Sequence, residues 1–312
     1  MQVAVGRACG KAILCGEHAV VYGRPAIGVP LMNIYAEAQV REGTGGVAIV
    51  AEDLDQAWML EELKPDHPLA AIVRSTLRAL NEETAANFLL TLHSTIPIAR
   101  GLGSGTAIST AIVRALACFY GANLSPAQVS ALVFETEKLY HGNPSGVDNA
   151  IIAYEQPIYF VKAQASLRLK VARELHLLVG DTGVASETKV AVGAVRAAWE
   201  REPQRHESIF DEIGALVSQA RDAIEFGHVE SLGPLLNLNQ DRLCALGVST
   251  PMLDGLIAAA RRSGASGAKL SGAGRGGCMI ALVQPHTLQA VETALQQAGA
   301  QAVLHAEVRR QV

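Results

Sequence analysis

Two glycine-rich segments of this sequence have the composition of anion cradles. The first reads Pro97, Ile98, Ala99, Arg100, Gly101, Leu102, Gly103, Ser104, Gly105, Thr106, Ala107. It falls between an alternating strand pattern and a helical one. Small residues let backbone N–H groups approach a ligand, the helix N-terminus adds partial positive charge, and Ser104 and Thr106 add hydroxyl donors. A triphosphate needs such a set. The segment is not a Walker loop, because the lysine of GxxxxGK[ST] is missing, and it lacks the third glycine of a dinucleotide fingerprint. A tight strand-to-helix turn explains the same residues without a ligand. The second segment reads Lys269, Leu270, Ser271, Gly272, Ala273, Gly274, Arg275, Gly276, Gly277. A plain hairpin needs two or three turn residues, fewer than are found here. Close approach of a ligand or of the first loop accounts for the excess.

Ionisable residues cluster around these loops in the sequence. Lys11 sits in an apolar run that leads to Glu17 and His18. A lysine there needs a negative partner or loses its charge, so a structural ion pair is one outcome. His141, Gly142, Asn143, Pro144, Ser145 and Gly146 precede Val147, Asp148 and Asn149 and then an apolar stretch. Turn chemistry explains Asn-Pro-Ser-Gly but not an Asp ahead of Asn-Ala-Ile-Ile. Glu137 lies near the end of the preceding helix, where a solvated charge is common. Mg²⁺ on a triphosphate takes one or two such oxygens and keeps its waters. Asp181, Thr182 and Gly183 follow a buried strand, and Ser186 and Thr188 stand where a helix opens, as capping residues do.

The elements that must position these residues follow from periodicity. Strands are expected over 2–9 and 11–15, split by Gly10, then over 31–40 and 47–51. Leu69, Ile72, Val73, Leu77 and Leu80 mark a helix, and Phe88, Leu90 and Leu92 a strand. A helix is expected over 106–120. Ser125, Pro126 and Gln128 form a capping box that opens another, running to residue 140. Residues 141–149 read as a loop and 157–161 as a strand. A strand over 175–180 leads to a helical stretch over 187–262, whose last helix opens at Thr250-Pro251 and stops at Gly264. The remainder reads strand, glycine-rich turn, strand, helix (288–298), strand (302–308). Strands and helices mix without strict alternation, which favours an α+β fold over a doubly wound sheet. A boundary near 160–173 divides the chain into 1–165 and 166–312.

With 312 residues, 49% apolar and 18% charged, the chain can bury sizeable cores and is too apolar for a disordered protein. Lys plus Arg number 26 against 30 Asp plus Glu, a formal charge of −4, which argues against general nucleic-acid binding or electrostatic membrane anchoring. Residues 1–10 do not read as a signal peptide, and no apolar run is long enough to span a membrane. Five cysteines without metal-ligand spacing read as reduced, buried thiols of a cytosolic protein.

Taken together, these segments resemble the GHMP kinases, and most closely their mevalonate kinase branch. The resemblance rests on 10–23, the Gly-Leu-Gly-Ser loop, 141–149, Asp181-Thr182-Gly183 with Thr188-Lys189, Leu246-Gly247-Val248-Ser249, and 272–278. It covers nearly the whole chain. It implies two α+β lobes, the first like ribosomal S5 domain 2 and the second ferredoxin-like, with ATP and substrate meeting in the cleft between them. The implied reaction moves the γ-phosphoryl of ATP to the C5 hydroxyl of mevalonate, in a homodimeric enzyme using Mg²⁺.

The resemblance also implies roles. Asp148 accepts the hydroxyl proton, and Lys11 holds Asp148 ionised and stabilises the transferred group. Pro97, Arg100, Gly101, Leu102, Gly103, Ser104, Gly105, Thr106 and Ala107 cradle the nucleotide. Ser104 and Glu137 approach the metal. Glu17, His18, Ser145, Thr188 and Gly274 face the substrate. One departure stands out: the family pattern Gly-Leu-Gly-Ser-Ser-Ala has Ser where this chain has Gly105. Ser104, Thr106 or a water then supplies the metal oxygen. A related kinase acting on phosphomevalonate, homoserine or another oxygen of mevalonate is the alternative enzyme. A nucleotide-binding sensor without activity is the alternative from another class, and the presence of both Lys11 and Asp148 disfavours it.

Overall fold

The computed structural model describes residues 3–83, 86–141, 145–162, 164 and 166–310, with the side chains of 139–141 outside the description. The chain forms two compact units. The first comprises Met1–Gly10, Met32–Pro97 and Gly103–Glu155, and the second Lys11–Leu31, Ile98–Leu102 and Gln156–Val312. The strands β1 (Ala4–Cys15) and β2 (Ala26–Glu42) each run through both. The expected break at Gly10 does not occur: β1 is continuous for 12 residues. Gly10 weakens strand propensity, but the apolar residues on either side keep the extended backbone packed.

In the first unit follow β3 (Val47–Ala51), β4 (Gln56–Met59), α1 (Pro68–Leu80), β5 (Phe88–Ser94), α2 (Ser104–Phe119), α3 (Pro126–His141) and α4 (Val147–Tyr154). Strand β5 lies between β3, which it pairs in parallel, and β2, which it pairs antiparallel; β4 flanks β3. The buried residues Phe88, Leu90 and Leu92 of β5 alternate as the sequence pattern requires. Helices α1, α2 and α3 pack on one another. Their buried faces are built from small and branched residues such as Ala70, Ile72, Val73, Ala111, Ile112 and Leu116. Strand β1 lies directly on α2: a Cβ on Gly6 would stand 2.2 Å from the Ala111 carbonyl oxygen. The capping box forms as expected, with Ser125 N–H donating to Gln128 Oε1 (2.9 Å) and Gln128 N–H to Ser125 Oγ (3.3 Å).

Residues 141–149 are not all loop. Helix α4 begins at Val147, behind a left-handed Gly146 at φ 89°, so Asp148 and Asn149 belong to its first turn. The polar pair resembles loop chemistry, but the apolar run behind it is long enough to propagate a helix. Gly142, Asn143 and Pro144, expected in the same loop, lie outside the described residues.

The second unit adds β6 (Ile158–Phe160), β7 (Leu167–Arg168), β8 (Leu175–Asp181), α5 (Thr188–Arg201), α6 (Pro203–Glu225), α7 (Val229–Ala245), α8 (Pro251–Arg262), β9 (Gly267–Ser271), β10 (Cys278–Val283), α9 (Leu288–Gln297) and β11 (Ala302–Val308). Strand β6 pairs with the start of β2 and with β7. The order β11-β8-β10-β9 makes a four-stranded antiparallel sheet. Helix α7 packs on β9, α8 on β9 and β10, and α9 on β8 and β11. Thr250 caps α8, its side chain accepting from Leu253 N–H. All five cysteines are free, but only Cys9, Cys15 and Cys278 are buried; Cys118 and Cys244 are exposed, against expectation. No helix among the described residues is long and apolar enough to cross a membrane. The mixed α+β class read from the sequence holds.

Candidate active site

The first glycine-rich loop turns through a series of left-handed residues. Ala99 has φ 57°, Gly101 79° and Gly103 80°. Gly103 serves as the N-cap of α2 without a side-chain bond, so the first N–H groups of that helix have no capping side chain. In a helix of 16 residues this is a place where an anion is stabilised. Ser104 opens the helix and is half-buried, Gly105 is exposed, and Thr106 and Ala107 are buried. No atom lies within 4 Å of the position a Cβ on Gly105 would take.

The hydroxyl of Thr106 donates to the Glu137 carboxylate, linking the first turn of α2 to α3. Glu137 is half-buried and is not a solvated surface charge. The hydroxyl that meets Glu137 is thus that of Thr106. Asp148 is half-buried on the first turn of α4. Its neighbour Asn149 fixes that turn against α3, donating from Nδ2 to the Ser130 carbonyl (3.1 Å) and to Ser130 Oγ (3.2 Å). Ser145 Oγ accepts from Val147 N–H (3.3 Å), an arrangement that shapes the entry to α4.

Within the second unit, Lys11 is 4% exposed, and its N–H donates to the Leu102 carbonyl (3.0 Å). Two residues on, Ile13 N–H donates to Ser271 Oγ (3.0 Å), which in turn donates to the Ile13 carbonyl. These bonds join β1 to both glycine-rich segments. Glu17 and His18 are buried, and so is Lys269. Lys269 Nζ pairs with Glu17 Oε1 and also reaches the Leu270 carbonyl. Burial pushes the Glu17 carboxyl above the ordinary range, opposed by the charge of Lys269. Glu17 Oε2 has no hydrogen-bond partner among the described residues.

His18 occupies a left-handed backbone position, φ 60°, at the mouth of a 3₁₀ turn. Its Nε2 lies 2.9 Å from the Ala273 carbonyl oxygen. A carbonyl only accepts, so Nε2 carries the proton. Burial pushes the imidazole down to about 4, with the charges of Arg275 and Lys269 adding to the effect against the Ala273 bond, so the ring is neutral near pH 7.

The second loop is held from several sides. Ser186 Oγ donates to the Gly274 carbonyl (2.7 Å), Thr182 Oγ1 to the Gly277 carbonyl (2.7 Å), and Gly277 N–H to the Val184 carbonyl (2.7 Å). Ser186 is thus committed to the loop and does not cap α5; Glu187 holds the N-cap position with no side-chain bond. A Cβ on Gly274 would meet the Val248 carbonyl oxygen at 2.2 Å, and at φ 75° only glycine fits without strain. Arg100 pairs with Asp181 at 3.0 Å, so its guanidinium is engaged by protein. Thr188 begins α5 and is exposed, and Pro97 is half-buried.

The predicted residues divide between the units. Gly103, Ser104, Gly105, Thr106, Ala107, Glu137, Ser145 and Asp148 belong to the first, with Pro97. Lys11, Glu17, His18, Arg100, Gly101, Leu102, Thr188 and Gly274 belong to the second. Sequence reasoning assigned no role to Lys269, although the argument applied to Lys11, a lysine in an apolar strand, applies to it equally.

The family described as "GHMP kinases N terminal domain" matches residues 71–156, and "GHMP kinases C terminal" matches 216–301. A mevalonate kinase of Thermococcus sibiricus is 35% identical over 308 residues, covering 93% of this chain and 91% of that protein. One of Pyrococcus horikoshii is 36% identical with the same coverage. Among solved structures, the L. major mevalonate kinase in complex with R-mevalonate has a TM-score of 0.85 at 26% identity, covering 100% of this chain and 97% of that one. The Methanococcus jannaschii mevalonate kinase has the same TM-score and identity, covering 100% and 99%. The two-part α+β fold, its paired glycine-rich loops and this similarity along the sequence make the chain a small-molecule kinase of the GHMP superfamily, belonging to the mevalonate kinase family.

Proposed function

We propose that the chain transfers the γ-phosphoryl group of ATP to the C5 hydroxyl of mevalonate, releasing ADP. The observation that carries this reading is the similarity, over more than nine-tenths of the chain, to proteins named mevalonate kinase. The geometry of the glycine-rich loops supports the kinase chemistry. The N–H groups at the start of α2 and those of the loop before it receive the phosphates. Asp148 takes the C5 hydroxyl proton as the oxygen attacks the γ-phosphorus and the bond to the ADP oxygen breaks. The Lys11 ammonium stabilises negative charge on the transferring group. His18, neutral and donating its Nε2 proton to Ala273, acts by shape and hydrogen bonding on the substrate side rather than as a charge, together with Glu17, Ser145, Thr188 and Gly274.

The donors present fit Mg²⁺. A threonine hydroxyl bonded to a carboxylate, with the Ser104 hydroxyl two residues earlier at the start of the same helix, offers hard oxygen donors, which this ion prefers. Thr106, Glu137 and Ser104 would hold it, directly or through water. When bound, it neutralises phosphate charge and aligns the β- and γ-phosphoryl groups. The free thiols suit a cytosolic enzyme. A homodimer is the assembly we expect, and its mass in solution tests that directly.

A coupled ADP-release assay against mevalonate, phosphomevalonate and homoserine, with phosphorus NMR of the product, tests the reading. Turnover on mevalonate alone with a 5-phosphate product is the expected result. Turnover only on another substrate overturns the assignment but keeps the kinase. ATP binding without turnover on any of the three favours the sensor.

A further inference from the structure

Away from the glycine-rich loops, a cluster of metal-ligating side chains lies on the four-stranded sheet. His176 is on β8, and His305 and Glu307 are on β11. The antiparallel register sets Glu307 opposite His176, with His305 two residues along the same face. Each of the three offers a ligand atom within 4.8 Å of the other two. The two imidazole rings stack, with centroids 5.6 Å apart and planes at 19°.

His176 carries the decisive detail. Its Nδ1 is buried and has no hydrogen-bond partner among the described residues. A buried ring nitrogen without a partner costs stability unless something else satisfies it. Its other nitrogen, Nε2, lies 4.0 Å from the Glu174 carboxylate. A metal-bound histidine commonly turns its second nitrogen toward a carboxylate, which orients the ring and raises its basicity. At 4.0 Å the Glu174 carboxylate attracts the ring without hydrogen-bonding it, and in the tautomer with its proton on Nε2 the buried Nδ1 of His176 carries a bare lone pair.

We infer that His176, His305 and Glu307 form a binding site for a divalent transition metal, with Zn²⁺ the best-suited ion. Two imidazoles with one carboxylate suit Zn²⁺, Ni²⁺ or Cu²⁺, whereas Mg²⁺ takes oxygen ligands. Glu307 is exposed and free to rotate into place, and a water completes four-coordination. The site is separate from the kinase chemistry. Asp181, which pairs with Arg100 of the first loop, lies five residues along β8 from His176, roughly 17 Å in an extended strand. The consequence is structural: β11 lies at the edge of the sheet, and the ion fastens it to β8.

The test titrates the full chain with Zn²⁺ in competition with a chromophoric chelator, and with Co²⁺, whose visible d–d bands report a low-symmetry nitrogen and oxygen site. The expected result is one equivalent bound, a rise of several degrees in melting temperature at a large excess of Zn²⁺, and weakening of at least about tenfold in both His176→Gln and Glu307→Ala. Kinase turnover is expected to be unchanged in both variants. Retained affinity in either variant overturns the site, because the metal is then held elsewhere, for example by an exposed thiol such as that of Cys118 or that of Cys244. Absence of binding at 100-fold excess of metal overturns it as well. If His176→Gln fails to fold, Glu307→Ala decides alone, since Glu307 is exposed and its removal leaves the packing intact.

Discussion

Thr106 donates its hydroxyl proton to Glu137, so the first turn of α2 and the helix α3 meet at a hydroxyl–carboxylate pair. The pair stands beside Gly105, where the family pattern has serine. If it supplies the metal oxygens, Glu137→Gln raises the Mg²⁺ concentration needed for half-maximal turnover by about tenfold, a loss of roughly 1.4 kcal/mol. Gly105→Ser finds open space for its side chain and leaves the fold intact. A Mg²⁺ titration identical in Glu137→Gln and the parent removes Glu137 from the metal site.

Asp148, at the start of α4, is the residue we propose takes the hydroxyl proton. Asp148→Ala is expected to lower kcat by about 10²-fold or more, the scale of general-base loss, while the dissociation constant for ATP changes little. Because Asp148 is only half-buried, the melting temperature should hold within a few degrees. Turnover within threefold of the parent takes the base role away from this residue.

The Lys269–Glu17 pair is buried on both sides. Breaking it from one side leaves a carboxyl without a counter-charge, so Lys269→Met is expected to destabilise the chain by about 3 kcal/mol. Adding Glu17→Gln removes the stranded charge and should restore part of that loss. Chemical unfolding of the single and double variants gives the coupling directly. Additive effects would mean that the two side chains do not act as a pair.

His18 makes stability depend on pH. Its folded value, about 4, lies below the ordinary 6.5, so the unfolded chain takes up the proton first as the solution is acidified. The stabilisation is fully present above pH 6.5 and is lost as pH falls from there toward 4. A shift of this size corresponds to at most about 3 kcal/mol. His18→Gln should flatten the fall in unfolding free energy between pH 7 and 4 relative to the parent. Parallel curves for the two proteins would show that His18 is not the titrating group.

Much of this was legible in the sequence because the relevant signals are local. The alternation in Phe88, Leu90 and Leu92 marks β5, the Ser125-Pro126-Gln128 box opens α3, and Thr250-Pro251 opens α8. The errors arose where tertiary contacts decide. Gly10 does not break β1, because packing along the strand outweighs the propensity of one residue. Asp148 and Asn149 are helical because Asn149 is bonded to Ser130, 19 residues away. Ser186 resembles a cap until Gly274, 88 residues on, claims its hydroxyl. Composition likewise hides which cysteines are exposed, since Cys118 and Cys244 lie on the outer faces of their helices.

The second glycine-rich loop, with its carbonyls claimed by Ser186 and Thr182 and its amides by Val184 and Val248, is ordered before any ligand arrives. Flexible residues normally lose the most configurational freedom when they grip a partner, but here that freedom has already been given up during folding. Glycine in this loop thus serves as a shape-forming residue, not as a hinge. Its contribution to affinity is rigidity: a ligand meeting it encounters a fixed template and needs no further ordering of that segment to be held.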